Sequence, residues 1–232
     1  MEREKNSIVK KIIKPIGIII LYFFISSFYV DFLLLFGIHY EKLSNIFKTT
    51  YLVLYDACFA ALLIYIYRKD FIPGFKDLIK NIKTYLDFIR VWIASLVLMV
   101  ISNLIIVNFT VNEVATNQQA AIEQLQTFPV YLILSAIITA PIIEETIFRL
   151  TIRKLINNKI IFIIISGLLF GFLHVIYSYT NITDFLYVIP YSIPGFAFAY
   201  MLVKTDNVCV PISFHMLHNT IMIIFQIIAL LK

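Results

Sequence analysis

The stretch APIIEETIFRL, Ala140–Leu150, places two adjacent glutamates and an arginine inside a long apolar run. Each ionisable side chain at the centre of a membrane helix costs about 3 kcal/mol on an insertion scale, so the three together cost about 8–10 kcal/mol. Such side chains almost always face the interior of a helix bundle or a water-filled cavity. The stretch therefore predicts a polar site in the interior of a membrane protein.

The composition supports this class of protein. Of the 232 residues, 61% are hydrophobic and 14% are charged, whereas a typical soluble domain has about 25% charged residues. Much of the surface must therefore face lipid. The net charge of +5 comes from basic residues spread between apolar runs. This distribution indicates membrane topology and argues against a nucleic-acid partner.

Seven apolar segments each approach the roughly 20 residues that cross a bilayer core. They predict an all-α fold, a polytopic membrane helix bundle of about seven transmembrane helices. The predicted spans are Ile16–Ile38, Thr50–Tyr67, Thr84–Phe109, Pro129–Leu150, Lys159–Tyr179, Asp184–Val203 and Val208–Leu231.

Basic and non-basic connections alternate along the chain. The N-terminal arm, with Arg3 and Lys5, and the connections after the second, fourth and sixth spans carry most of the basic residues. The positive-inside rule therefore predicts a cytoplasmic N-terminus and an external C-terminus. The segment FIPGFKDLIKNIKTYLDFI is predicted to lie along the inner membrane surface. The polar stretch NEVATNQQAAIEQLQ is predicted to form a short helix or ordered loop on the outer side.

The charged residues of the opening stretch divide into two roles by their helical positions. Glu145 and Arg149 are four residues apart and share a helix face, so we expect them to pair. Glu144 is rotated by about 100° from Glu145 and stays free. A free carboxylate in this setting is a candidate general base.

Two later spans carry histidines at helical spacing. FGFLH places Phe170 and His174 on one face, and PISFHMLHN does the same for His215 and Asn219, with His218 at the edge of that face. Histidines on two separate spans, together with an intramembrane glutamate and an asparagine, predict one shared polar site.

These groups suit hydrolysis by two routes. A carboxylate can take a proton from water while histidines orient that water or stabilise the oxyanion. Alternatively, the same side chains could bind a divalent metal such as zinc, which lowers the pKa of bound water. Asparagine is an unusual zinc ligand and H-E-x-x-H is absent, so the residues leave the choice open. No serine or cysteine partners these histidines, which argues against a covalent nucleophile.

APIIEETIFR, FGFLH and HMLHN resemble the three motifs of the CPBP family, the CAAX-protease and bacteriocin-processing membrane proteases also called Abi proteins. The family pattern is E-E-x-x-x-R, F-x-x-x-H and H-x-x-x-N or H-x-x-x-D, and all three occur here in order between about Asn112 and Ile223. The resemblance implies an intramembrane endopeptidase, a hydrolase in which Glu144 activates water. The implied site comprises Glu144, His174, His215 and Asn219, which would also be the ligands of any metal, with Glu145, Arg149 and Phe170 in support.

The resemblance also implies a division of the chain and a class of substrate. Residues 1–110 would hold spans one to three with the cytoplasmic amphipathic segment, and residues 111–232 the catalytic core with spans four to seven. The substrate would be a membrane-associated peptide or protein in a cavity lined by the fourth, fifth and seventh spans. Residue usage typical of an AT-rich bacterial genome indicates a bacterial plasma membrane and favours bacteriocin or signalling-peptide maturation, or self-immunity, over prenylated substrates.

Alternatives remain beside this interpretation. A non-catalytic membrane immunity or adaptor protein is disfavoured because every motif position is intact, and a proton-coupled carrier because no inverted repeat is present. His218 matches no family position and is predicted to be structural. Asp31 and Asp56 are predicted to be packing or interfacial residues, with cavity lining as the alternative. His174 lies roughly 10 Å deeper than Glu144. We favour a fifth span that starts after Lys159; the alternatives are a tilted span or a cavity that reaches deep from the cytoplasmic side.

Overall fold

The computed structural model describes residues 9–110 and 115–231, and every regular element in these ranges is helical. Seven helices are long and apolar enough to cross a membrane, which confirms the predicted all-α polytopic bundle. The seven are α1 (Lys11–Phe28), α2 (Asn45–Ile66), α4 (Ile82–Ile106), α6 (Pro129–Leu155), α7 (Lys159–Ile176), α8 (Ile182–Thr205) and α9 (Cys209–Leu230). Two shorter helices, α3 (Arg68–Lys80) and α5 (Thr116–Thr127), lie between them.

The first span is shorter than the hydropathy of the sequence predicts. It ends at Phe28 instead of Ile38. Separate short helices follow at Asp31–Leu34 and Tyr40–Lys42. Gly37, with φ +70°, reverses the chain between them, a conformation that glycine adopts without steric cost. Asp31 is therefore an exposed residue beyond the span rather than an intramembrane acid.

The fifth span begins where its sequence signal begins. The Asn158 side chain accepts hydrogen bonds from the backbone nitrogens of Ile160 and Ile161 at 2.9 and 3.0 Å. This N-cap satisfies donors that have no partner within the helix, so α7 starts at Lys159. The expectation of a later start is wrong.

The amphipathic segment after the second span forms α3, as the lysine spacing indicates. Its exposed face carries Ile72, Phe75 and Ile79. Its other side is held by Asn207, whose amide donates to the Gly74 carbonyl at 2.8 Å and to Asp77 at 2.9 Å. Its location at the inner membrane surface stays a prediction.

The predicted outer polar helix corresponds to α5, although residues 111–114 at its predicted start lie outside the described residues, as do Arg3 and Lys5. The proposed division near residue 110 falls beside the same gap and stays a prediction. Helices of the two halves pack together, since α2 contacts α6 and α4 contacts α8.

Glycines allow α7 to approach α8 closely. A Cβ added to Gly171 would lie 2.6 Å from the Val188 carbonyl oxygen and also overlap Ser192. A Cβ on Gly195 would lie 3.0 Å from the Gly167 Cα. Small residues at such crossings are typical of membrane helix pairs. The close approach places α7, with Phe170 and His174, in the bundle interior.

Gly171→Ala is therefore expected to destabilise the protein by about 1–3 kcal/mol, since the new methyl group collides with backbone atoms that must move. Reversible unfolding in mixed micelles measures the free energy. Gly17→Ala is the matched control, because a Cβ at Gly17 has no neighbour within 4 Å and alanine favours the helix. Equal stability of the two variants would contradict the close approach.

Candidate active site

The helix that carries the glutamate pair departs from regular α-helical winding around Pro141. Wide π-type turns cover Ser135–Thr139 and Glu145–Thr151, on either side of Ala140–Glu144. Proline supplies no backbone N–H and disturbs the helix around it. Such turns are rare and occur frequently at functional sites.

Glu145 and Arg149 form the predicted ion pair. Arg149 Nε lies 3.0 Å from Glu145 Oε2, and both side chains are 0% exposed. Arg149 Nη2 also donates to the Gly195 carbonyl at 3.2 Å, and its guanidinium lies 4.4 Å from the centroid of the Phe170 ring. The pair thus joins α6 to α7 and α8 in the interior of the bundle.

His215 connects this ion pair to Glu144. Its Nδ1 lies 2.9 Å from Glu145 Oε1 and its Nε2 lies 3.8 Å from Glu144 Oε2. Because an ionised carboxylate only accepts hydrogen bonds, Nδ1 carries the hydrogen. The Phe198 ring stacks on the imidazole with a centroid distance of 5.0 Å. Glu145 and Phe198 therefore orient His215 so that its Nε2 faces Glu144.

Glu144 is the less tightly held of the two glutamates. Its side chain is 22% exposed, and its Oε2 has no hydrogen bond to any part of the chain that the structure describes. The two oxygens of Glu145, by contrast, lie against Arg149 and His215. Glu144 is thus available to a water or a substrate.

His174 and Asn219 lie around this centre without touching Glu144. His174 Nδ1 lies 2.8 Å from the Phe170 carbonyl oxygen, which leaves Nε2 free to accept. The Phe170 ring lies 4.4 Å from His174 and 5.6 Å from His215, between the two histidines. Asn219 Nδ2 donates to the Ala136 carbonyl at 2.7 Å, which ties α9 to α6. The structure therefore brings the three motifs together through Phe170 and the α6 backbone.

The His218 ring meets Phe198 edge-on, whereas the His215 ring stacks on it. It is 7% exposed, its ring lies 6.2 Å from the centroid of Phe198 at 87°, and its Nδ1 has no hydrogen bond within residues 9–110 and 115–231. This placement agrees with a packing role, which stays a prediction.

The donor set does not by itself form a metal centre. Among the described residues, no group of three or more His, Cys, Asp or Glu side chains is placed to hold a metal ion. The Phe170 ring contacts both motif histidines. We therefore derive no catalytic step through a metal.

The cavity at Glu144 lies on a different side of α6 from the one expected. It has a volume of about 430 Å³ and is lined by α1, α2, α5, α6 and Tyr40. Of the predicted lining spans, the fourth, fifth and seventh, only the fourth contributes. The polar and aromatic lining residues are Tyr22, Ser26, Tyr29, Tyr40, Tyr55, Asp56, Phe59, Gln124, Phe128, Tyr131, Ser135 and Glu144. Asp56 thus lines the cavity and is also hydrogen-bonded.

A buried carboxylate–histidine–carboxylate array beside a cavity in a membrane bundle defines a class of intramembrane protein with a site suited to acid–base chemistry. Residues 126–221 match the family described as type II CAAX prenyl endopeptidase Rce1-like. This match supports the predicted resemblance to the CPBP family of membrane proteases. The matched segment contains the glutamates, Arg149, both motif histidines and Asn219.

Two curated relatives agree with this family match. The chain is 32% identical over 122 residues to the candidate membrane peptidase YdiL of Bacillus subtilis, covering 51% of this chain and 46% of the relative. It is 30% identical over 139 residues to the membrane-embedded CAAX protease MroQ of Staphylococcus aureus, covering 56% of this chain and 53% of the relative. The chain thus spans about half the length of these relatives. No solved structure matches it significantly.

Proposed function

We propose that the chain is an intramembrane endopeptidase that hydrolyses a peptide bond of a membrane-associated peptide or protein. The observation that carries the proposal is the position of Glu144. Its Oε2 has no hydrogen bond to the described chain and lies 3.8 Å from His215 Nε2, and the residue lines a cavity of about 430 Å³. The match of residues 126–221 to a protease family supports it.

The catalytic water would bind between Glu144 and His215 and hydrogen-bond to both. As the water oxygen bonds to the scissile carbonyl carbon, Glu144 takes one of its protons as general base. Protonated His215, oriented by Glu145, donates from Nε2 to the developing oxyanion. When the C–N bond breaks, Glu144 returns the proton to the leaving amine. Arg149 pairs with Glu145.

His174 and Asn219 complete the proposed site by family resemblance. The free Nε2 of His174 and the Asn219 carbonyl are the groups left for substrate or water. In the metal-dependent alternative, Glu144, His174, His215 and Asn219 would hold a divalent ion such as zinc, which would supply an activated water.

The relatives and the site support the proposed substrate class. One relative is named a membrane-embedded CAAX protease and both come from bacteria, so we place the chain in a bacterial plasma membrane. Maturation of a bacteriocin or signalling peptide, or self-immunity, is the proposed role. With a cytoplasmic N-terminus, the cavity lies toward the external half of the bundle, since Gln124, Phe128 and Tyr131 line it.

The test is cleavage of a panel of membrane-associated peptides by the purified protein in detergent. Wild type is expected to cleave, and Glu144→Gln to be at least about 10²-fold slower, because an amide cannot act as a general base. Glu123→Gln, at an exposed position on α5, is the matched control. A chelator is added in parallel, and activity that it removes and zinc restores would establish the metal-dependent route.

Two outcomes would contradict the proposal. Equal cleavage by wild type and Glu144→Gln would make Glu144 a structural residue. Absence of cleavage, together with an unchanged cellular phenotype of Glu144→Gln, would instead support a non-catalytic adaptor or immunity protein.

A further inference from the structure

The cavity that contains Glu144 also contains a second carboxylate, Asp56, near the middle of α2. None of the described residues that line this cavity is a lysine, arginine or histidine. Two acidic side chains therefore face a cavity that has no basic side chain in its described lining.

The partners of Asp56 are neutral. Ser135 Oγ donates to Asp56 Oδ2 at 2.8 Å, and the Tyr131 hydroxyl faces the same carboxylate. Hydroxyl donors solvate the charge without balancing it. A carboxylate at this depth costs about 3 kcal/mol on an insertion scale, and such groups mark the paths of substrates and ions. Asp56 is thus an acidic side chain in the interior of the bundle with no basic partner in the described lining of the cavity.

The rest of the lining suits a cation. Aromatic rings surround the cavity: Tyr22, Tyr29, Tyr40, Tyr55, Phe59, Phe128 and Tyr131. Aromatic faces attract ammonium and guanidinium groups, more strongly where water is excluded, and a carboxylate adds a charge-assisted hydrogen bond. The combination recognises a positive charge carried on an apolar stem.

We propose that Asp56 and these rings form a subsite for a lysine or arginine side chain of the peptide substrate. The inference rests on the proposed function, since it names the substrate class of that site. It makes Asp56 a specificity-determining residue that contacts substrate at a distance from the bond that is cut.

The subsite has a defined register relative to Glu144. Ser135, which binds Asp56, lies nine residues before Glu144 on the same helix, a separation of about 13 Å at 1.5 Å per residue. An extended peptide advances about 3.3 Å per residue. The basic side chain is therefore expected about four residues from the scissile bond.

The experiment uses peptides that are identical except for one lysine, moved stepwise on each side of the scissile bond, with norleucine as the neutral counterpart. Wild type is expected to cleave the peptide with lysine at the fourth position at least about tenfold more efficiently than its norleucine counterpart. When the lysine lies next to the scissile bond, wild type is expected to show no such preference. Asp56→Asn is expected to reduce the lysine-to-norleucine ratio of kcat/KM by about tenfold. Asp56→Glu and the exposed control Asp31→Asn are expected to keep it.

Binding to the Glu144→Gln protein, measured by fluorescence anisotropy of the same peptides, separates this proposal from the proposed function. If no peptide is cleaved but lysine-dependent binding disappears on adding Asp56→Asn, the protease assignment fails and the cation subsite stands. An equal ratio in Asp56→Asn and wild type would overturn the subsite. A wild type that shows no lysine preference at any position would overturn it without any variant.

Discussion

Glu145→Gln is expected to lower kcat for peptide hydrolysis by about 10²–10⁴-fold, although Glu145 is fully buried. Its Oε1 accepts from His215 Nδ1 at 2.9 Å, and its Oε2 forms an ion pair with Arg149 Nε at 3.0 Å. A glutamine is neutral and offers one acceptor oxygen and an amide nitrogen that donates. Either His215 or Arg149 then faces a donor, and His215 loses its orientation and the negative charge beside its protonated ring.

The size of the effect follows from comparable acid–base sites. In serine proteases, replacing the carboxylate that orients the catalytic histidine by an amide lowers kcat by about 10⁴-fold through the wrong tautomer. Here the consequence is that His215 Nε2 no longer faces Glu144 in the required form. Glu145 acts through His215 and is a positioning residue.

The measurement separates kcat from KM in detergent-solubilised protein of confirmed folded fraction. A loss in kcat with little change in KM is expected, together with a shifted pH profile and a changed imidazole nitrogen-15 spectrum. Glu123→Gln is again the control at an exposed site. A folded Glu145→Gln protein with kcat within a factor of three of wild type would contradict this role.

The class of fold and the ion pair could both be predicted from sequence because they depend on local rules. Hydropathy over about 20 residues identifies a span, and four-residue spacing brings Glu145 and Arg149 together even though the backbone winds as a π-type turn there. These rules operate within one helix and need no knowledge of neighbours.

The cavity could not be predicted in the same way. It depends on which faces of α1, α2 and α6 meet. Its lining residues on α2, Leu52, Tyr55, Asp56 and Phe59, recur at helical spacing, but any buried helix face shows the same spacing. Asp56 was the detectable signal, since an acid in a span requires a partner or a cavity. The motif residues lie on α6, α7 and α9, and of these helices only α6 lines this cavity.

The position of His174 shows a related limit. A depth calculated along separate helices assumes that they lie parallel and straight, and it set His174 apart from Glu144. In the structure α7 keeps its start at Lys159, and contact is made through the Phe170 ring, 5.6 Å from His215. The Phe170 side chain makes the connection between His174 and His215. The boundaries of the helices do not reveal such a contact.

Arg149→Met is expected to destabilise the protein by about 3–5 kcal/mol, because it leaves Glu145 as an uncompensated charge in the interior of the bundle. Both side chains are 0% exposed. The substitution also removes the hydrogen bond to the Gly195 carbonyl and the guanidinium contact with Phe170. Reversible unfolding in mixed micelles measures the free energy.

The matched control is Lys154→Met. Lys154 pairs with Asp70 at the same distance, 3.0 Å, but the two side chains are 36% and 34% exposed, and exposed pairs contribute about 0–1 kcal/mol. The double variant Glu145→Gln with Arg149→Met is expected to recover at least about 2 kcal/mol, since it removes the buried charge and keeps an acceptor for His215. Equal losses in Arg149→Met and Lys154→Met would show that burial does not set the strength of this pair. A double variant no more stable than Arg149→Met would show that packing around the guanidinium, rather than charge, holds α6 to α7 and α8.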